Sequence, residues 1–305
     1  MIKILIKDET APLRSVVLGT GESFGGVPDI QEAYDPKSRE HILDGTFPVE
    51  EDIIKEMEAV ASTLRKHGVE VYRPKVLPDT NQVFARDIGF VIGNKFIVPN
   101  IIDDRANEKE GIKDLLEQID PKQVLMMPKG AYAEGGDVMP WKEKLYIGYS
   151  EDEDYNKYQV SRTNRAGVEF LRDQFPNCEF YAFELKKSDT DPKENALHLD
   201  CCFQPIGHDQ CIIYKGGFKN EKDYELLVSQ FGKENCIEIT KDEMYNMNSN
   251  VFSISPKVII SEQGFTRLNE ELERRGFTVE RVPYVETAKM EGLLRCSTLP
   301  LERAY

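Results

Sequence analysis

Five short segments of this 305-residue chain each stand at or just before a strand-like run, and each carries polar side chains there. They are Arg86-Asp87, Glu134-Gly135-Gly136-Asp137, His198-Leu199-Asp200, Asn248-Ser249-Asn250 and Arg295-Cys296. The same series follows each of them: strand, strand, helix, strand. The first round reads as a hairpin from 87 to 100 turning at Gly93-Asn94, a helical stretch over 105–119 and a strand at 123–127. The second starts at Asp137, with a hairpin to about 149, a helix over 156–175 and a strand at 179–183. The third runs from His198 through a strand at 211–214, a helix bearing Tyr224, Leu227 and Phe231, and a strand at 236–239. In the fourth, Asn250 leads to a strand at 258–260, a helix with Phe265, Leu268 and Leu272 at spacings of three and four, and a strand at 278–282. The fifth is split across the termini. Residues after Cys296 supply one strand and residues 15–19 another, and a helix with Ile53, Ile54, Met57, Val60, Ala61 and Leu64 leads into a strand at 69–72.

The rounds start at 87, 137, 198, 250 and 296, intervals of 46 to 61 residues, which suits a repeat with insertions in its loops. Copies of one unit around an axis, sealed by pairing of the two chain ends, predict an α/β ring in which residues 1–305 form one domain. The competing architecture is an ordinary α/β sheet alternating with helices. In the ring, equivalent ends meet around the axis, which gathers a thiol, an imidazole and several carboxylates in one cavity.

Composition narrows the function classes. With 54 acidic against 39 basic residues the net charge is -15, and the basic residues are interleaved with acids, so no concentrated basic face is available for nucleic acid. Such a field favours a cationic ligand over an anionic one. The opening Met-Ile-Lys-Ile-Leu-Ile-Lys is too short for a signal-peptide core, and no run approaches the roughly 18 apolar residues of a membrane span. The expectation is a cytoplasmic protein with no membrane partner. Six cysteines over this length are too sparse for a disulfide framework and suit a reducing compartment.

A lone cysteine is more often a small buried hydrophobe than a nucleophile, so Cys296 needs partners. His198 is the best of the four histidines, the only one at the start of a repeat strand; His41, His67 and His208 read as loop or helix-end residues. Glu134 precedes two glycines that permit close approach of another chain segment. Aimed at His198, its carboxylate would orient the ring and stabilise its cation, completing a Cys-His-Glu arrangement. Asp87 and Asp200 would face the same cavity. A neutral acyl substrate leaves those charges unpaired, whereas a planar guanidinium offers a fork of N–H donors to both.

These segments resemble the guanidino-group-modifying enzymes of the pentein fold: arginine deiminases, dimethylarginine dimethylaminohydrolases and amidinotransferases. The likeness covers roughly residues 84–301. Phe84-Ala85-Arg86-Asp87 with Phe90-Val91-Ile92-Gly93-Asn94 is similar to the family's first guanidinium-binding segment, and Glu134-Gly135-Gly136-Asp137 to the motif supplying the acid behind the histidine. His198-Leu199-Asp200 resembles the acid/base motif, Asn250-Val251-Phe252 the fourth repeat, and Arg295-Cys296-Ser297-Thr298-Leu299-Pro300-Leu301 the nucleophile segment. Ser161-Arg162-Thr163-Asn164 resembles a deiminase segment whose arginine helps hold a substrate carboxylate.

The resemblance implies a five-repeat pentein α/β-propeller about a pseudo-fivefold axis. It also implies Cys296, His198 and Glu134 as catalytic residues, with Asp87, Asp200, Arg162 and Asn250 on the substrate. The Cys296 thiolate, favoured by Arg295 and by the substrate cation, attacks the guanidinium carbon. His198 then protonates the departing amine, and a thiouronium adduct passes to water or to an amine acceptor. No cofactor is implied and no metal, since His198-Leu199-Asp200-Cys201-Cys202 lacks metal-ligand spacing. The partner is a small guanidine, arginine or a derivative, and a homo-oligomer is compatible with this reading. Glu-Gly-Gly-Asp and the tail around Cys296 favour hydrolysis to a ureido product over amidino transfer. Ile88 where deiminases commonly have proline, Leu293-Leu294 in a stretch usually richer in glycine, and a shorter chain depart from the deiminase pattern and leave the choice of guanidine open. Two other classes stay in view, a noncatalytic pentein binding protein and a Cys-His acyl hydrolase.

Overall fold

Each of five three-stranded sheets repeats one topology, and the computed structural model describes all of residues 1–305. In the sheet that joins the termini, β1 (Leu13–Leu18) lies between β2 (Glu70–Tyr72) and β15 (Thr298–Arg303). The second sheet contains β3 (Phe90–Ile92), β4 (Lys95–Val98) and β5 (Val124–Met126), and the third β6 (Val138–Trp141), β7 (Lys144–Tyr149) and β8 (Glu179–Glu184). The fourth contains β9 (Phe203–Ile206), β10 (Gln210–Ile213) and β11 (Cys236–Glu238), and the fifth β12 (Phe252–Ser255), β13 (Val258–Glu262) and β14 (Thr278–Val282). Every middle strand pairs antiparallel with one neighbour and parallel with the other. A parallel neighbour requires a crossover, and helical segments supply it in all five rounds.

α1 (Pro36–Leu43) stands ahead of the crossover helix α2 (Glu50–Lys66). The later crossovers are α3 (Lys113–Leu116), the pair α4 (Asp152–Lys157) and α5 (Arg165–Gln174), α6 (Glu221–Phe231) and α8 (Thr266–Arg274). The short α7 (Lys241–Tyr245), closed by a Thr240–Glu243 capping box, precedes the last hairpin. Helix α2 forms because Ile53, Met57, Val60, Ala61 and Leu64 make one buried stripe at helical spacing, while acids fill its first turn and Arg65 and Lys66 its last. The middle strands are buried on both faces, which is why β10 reads as the unbroken apolar run Cys211-Ile212-Ile213. No helix is long and apolar enough to cross a membrane.

Three expectations change. The stretch expected as a helix over 105–119 is a 3-10 segment over Asp103–Ile112 followed by one α turn. Its Gly111 sits where a Cβ would lie 2.3 Å from the Gln82 amide nitrogen, and Arg105 and Glu108 point inward, so no continuous apolar stripe exists. The helix expected over 156–175 is two helices. Asn164 caps α5 with its side chain and also accepts from the Tyr132 amide at 3.0 Å, which pulls 158–164 out of helix and carries Arg162 inward.

The strands also begin later than their polar residues. Each motif ends in a tight turn instead, with backbone bonds Asp87 N to Phe84 O (3.4 Å), Asp137 N to Glu134 O (3.0 Å), Cys201 N to His198 O (3.1 Å), Asn250 N to Met247 O (2.9 Å) and Thr298 N to Arg295 O (3.1 Å). That turn is the repeated feature that frees these side chains from the ladders and aims them at a common centre.

Candidate active site

Glu134, His198 and Asp87 meet at that centre, all buried. His198 Nε2 lies 2.8 Å from Glu134 Oε2 and 4.0 Å from Asp87 Oδ1. The paired glycines explain the fit: a Cβ on Gly136 would lie 2.6 Å from His198 Cγ, and one on Gly135 would lie 2.0 Å from the Arg86 carbonyl oxygen. We therefore expect Gly136→Ala to displace the imidazole, lowering kcat on the order of 100-fold and stability by about 1–3 kcal/mol. Steady-state kinetics beside thermal unfolding tests this, and an unchanged kcat would mean that the ring's position is unimportant.

Asp137 braces this arrangement from behind. Its two carboxylate oxygens accept from Leu199 N at 2.9 Å and Thr163 Oγ1 at 2.7 Å, and Thr163 Oγ1 in turn accepts from Glu134 N at 3.2 Å. Burial pushes its carboxyl up to about 6 against the His198 and Lys187 charges. It ties the second repeat to the third.

Cys296 enters from the C-terminal motif. Its carbonyl accepts from Arg86 N at 2.9 Å, which sets it beside Asp87, and its Sγ lies 3.6 Å from Asp200 Oδ2. Ser249 Oγ holds the Asp200 carbonyl at 2.8 Å. Asn250 Nδ2 lies 3.1 Å from Cys296 Sγ. The sulfur thus adjoins Asp200 and Asn250, the imidazole adjoins Glu134 and Asp87, and the Asp87 charge acts on both. Of the other expected residues, Arg162 reaches Glu134 too: Nε lies 3.6 Å from Glu134 Oε2, while Nη1 and Nη2 donate to Gln159 O (3.1 Å) and Tyr34 O (3.2 Å). Those two bonds use one N–H of each terminal nitrogen and leave the Nε N–H and the second N–H of each free to meet a further acceptor. Three atoms here lack a protein partner: Glu134 Oε1, His198 Nδ1 and Arg162 Nε. Buried polar atoms of that kind are expected where a ligand or water is to be met.

Two charged partners were not anticipated. Arg105 donates to Asp87 Oδ2 at 2.8 Å, holds Glu108 through Nε and Nη2 at 2.8 Å each, and lies 3.6 Å from Glu134 Oε2. Glu9, from the N-terminal arm, takes Arg295 through Nε at 3.1 Å and Nη2 at 3.2 Å. Arg295 Nη1 also donates to Asp200 Oδ2 at 2.9 Å, and further N–H groups reach the carbonyls of Gly135, Gly136 and Val138. The Arg295 N–H groups are thus directed at acids and carbonyls and not at the sulfur, so any help this residue gives a thiolate is through its charge alone. The Arg105-x-x-Glu108 spacing was the one available sign of the first partner; nothing in the sequence marks Glu9.

The charges set the protonation states. Burial alone would raise the Glu134 carboxyl, but the His198 hydrogen bond and the Arg162 and Arg105 charges hold it at about 2. Burial alone would lower His198, but Asp87, then the Glu134 hydrogen bond and Asp137, raise it to about 9. Burial, with the Asp200 and Asp87 charges, pushes the Cys296 thiol well up, against a backbone bond at Leu293 and the Asn250 donor. At neutral pH the cluster is therefore a thiol, an imidazolium and ionised Glu134. Ligand atoms of Asp87, Glu134 and His198 lie within 4.8 Å of one another, a spacing a metal ion could use. The Arg105 and Arg162 guanidiniums already compensate these carboxylates, so a divalent cation would meet like charge. A cavity of about 580 Å³ adjoins the site at Glu108 and Tyr34; Asp29, Glu32, Asp35, Asp79 and Asp104 also line it, with no Lys or Arg.

Fold and site together define a member of the guanidino-group-modifying pentein superfamily. Residues 39–302 match the family model described as N,N dimethylarginine dimethylhydrolase, eukaryotic, and the chain belongs to that family. It is 31% identical over 248 residues to the uncharacterized protein YkgA of Bacillus subtilis, covering 80% of this chain and 78% of that one. Among solved structures, the inosamine-phosphate amidinotransferase of Streptomyces griseus superposes with a TM-score of 0.78 at 16% identity, covering 100% of this chain and 98% of its own. The N-terminal domain of ArgZ, described as an arginine dihydrolase from cyanobacteria, gives 0.77 at 18% identity, covering 95% and 98%. At such identities these two likenesses speak for the fold.

Proposed function

We propose that this protein is a cysteine-dependent hydrolase that opens the C–N bond of a guanidine through a thiouronium on Cys296, within one catalytic domain over residues 1–305. The observation that carries this reading is the buried cluster in which Cys296 Sγ adjoins Asp200 at 3.6 Å and the His198–Glu134 pair closes at 2.8 Å beside Asp87. Acids around a thiol suppress the thiolate until a cation arrives. A guanidinium beside Asp87 and Asp200 brings that cation, and the thiol proton leaves to solvent as Sγ bonds to the guanidinium carbon. The imidazolium, through the unpartnered Nδ1, gives its proton to the departing nitrogen, and the amine leaves. Neutral His198 then takes a proton from water as its oxygen bonds to carbon. Collapse breaks the C–S bond, returns the thiolate and releases a ureido product, its last proton going to the free amine.

The family description supports a methylated arginine as the first substrate to try. The solved amidinotransferase fold keeps an amine acceptor as the competing outcome. Mass spectrometry of products from arginine, dimethylarginine, agmatine and guanidinoacetate, with and without glycine or ornithine, separates the two. Release of ammonia or dimethylamine with a ureido product is expected. Guanidine exchange that requires the added amine would replace hydrolysis by transfer, and no turnover of any guanidine, together with a Cys296 that a haloacetamidine fails to label, would return the noncatalytic reading.

A further inference from the structure

Asn250 belongs to the fourth repeat, whose motif has no acid, base or nucleophile, yet its side chain is fully buried. Its amide oxygen accepts two backbone bonds, from Arg295 N at 2.9 Å and from Cys296 N at 3.1 Å. An N–H pair can be met only by an acceptor, so these bonds settle which end of the amide is oxygen. The NH2 group is then forced toward Cys296 Sγ, 3.1 Å away. No other side-chain donor points at the sulfur: Arg295 faces Glu9, Asp200 and three carbonyls, and the Asp200 carboxylate at 3.6 Å can only accept. The Asn250 backbone adds a further tie, its carbonyl accepting from Arg295 N at 3.3 Å.

From this geometry we infer that Asn250 is a catalytic residue on the nucleophile rather than a ligand of the substrate: it fixes the turn carrying Cys296 and gives the nascent thiolate its one side-chain hydrogen bond. A hydrogen bond to a charged acceptor is much stronger than one to a neutral thiol, so the contact acts mainly once the proton has gone. Because the Asp200 and Asp87 charges oppose a thiolate, this donor is their local counterweight. The inference rests on Cys296 being the nucleophile.

Asn250→Asp is the discriminating variant. It keeps an oxygen for the two backbone N–H groups and replaces the donor facing sulfur by a carboxylate. Alkylation by iodoacetamide, followed on the Cys296 peptide by mass spectrometry from pH 6 to 11, reads the thiol directly, beside kcat and KM on whichever guanidine the wild type turns over. The expected result is an apparent thiol pKa raised by about one to two units and kcat lower by roughly 100-fold, with KM within about threefold. Asn250→Ser, too short to reach both the backbone and the sulfur, is expected to move the same quantities in the same direction, and serves if the aspartate variant does not fold. A raised KM with an unmoved alkylation profile would make Asn250 a substrate ligand and overturn the inference. So would unchanged values in both variants. If wild-type Cys296 can be replaced by serine without loss of turnover, the nucleophile assignment fails first, whatever Asn250 does.

Discussion

Cys296→Ser is expected to lower turnover by at least about 10⁴-fold while leaving the fold intact. The hydroxyl has nearly the shape of the thiol and keeps Asn250 Nδ2 and Asp200 Oδ2 as neighbours, so stability should change by less than about 1 kcal/mol. Its proton is far more tightly held than that of a thiol, however. The same two acids that burden the thiolate make an alkoxide inaccessible, and no neighbouring group can offset the difference. Steady-state rates measured beside thermal unfolding decide the matter: a folded serine variant keeping more than about 1% of the rate would remove the covalent route.

The second large effect falls on Glu134. Its carboxylate is the shared anion of His198, Arg105 and Arg162, so Glu134→Ala leaves three buried cations without it. Removing one partner from such a buried network costs about 3–5 kcal/mol. At about 2 °C per kcal/mol for a chain of this size, Tm should fall on the order of 10 °C. Glu134→Gln keeps the shape and tests the charge alone. In the wild type the folded pKa of His198 is raised from 6.5 to about 9, so its contribution is fully present below pH 6.5 and is lost as pH rises through 9. The Glu134 carboxyl is depressed from 4.5 to about 2, so its contribution is present above pH 4.5 and is lost as pH falls toward 2. In the glutamine variant the alkaline loss of stability should move to lower pH, and kcat should fall by about 10² to 10⁴ as the imidazolium acid is depopulated. Urea unfolding between pH 5 and 10 measures the shift. An unmoved alkaline limb would show that Glu134 does not hold the imidazolium.

Much of this was readable from residue order. The strand-strand-helix-strand rhythm rests on turn residues and on apolar spacing, which are local properties, and the Gly93-Asn94 turn does have the positive φ at Gly93 that a tight hairpin needs. The pairing of His198 with Glu134, 64 residues apart, was accessible because both stand at equivalent places in a repeat, so the repeat supplied the missing distance information. Arg105 had no such help. It stands at the start of a stretch that reads as a helix over 105–119, and its Asp87 and Glu134 partners come from two other segments. The Arg295–Glu9 pair joins residues 286 apart with no repeat position linking them.

By itself, the residue sequence determined the five-unit rhythm, the closing of the ring through strands from both termini, and the set of chemically able side chains at the repeat turns. Periodicity and turn chemistry act over a few residues and survive in a one-dimensional reading. Only the tertiary structure decided which charge faces which: that Arg105 and Arg162 flank Glu134, that Arg295 is held by Glu9 and Asp200, and that Asn250 turns its amide to the sulfur. Electrostatic pairing and burial depend on distances of a few ångströms between segments remote in the chain, and those distances exist only once the sheets have closed around the axis.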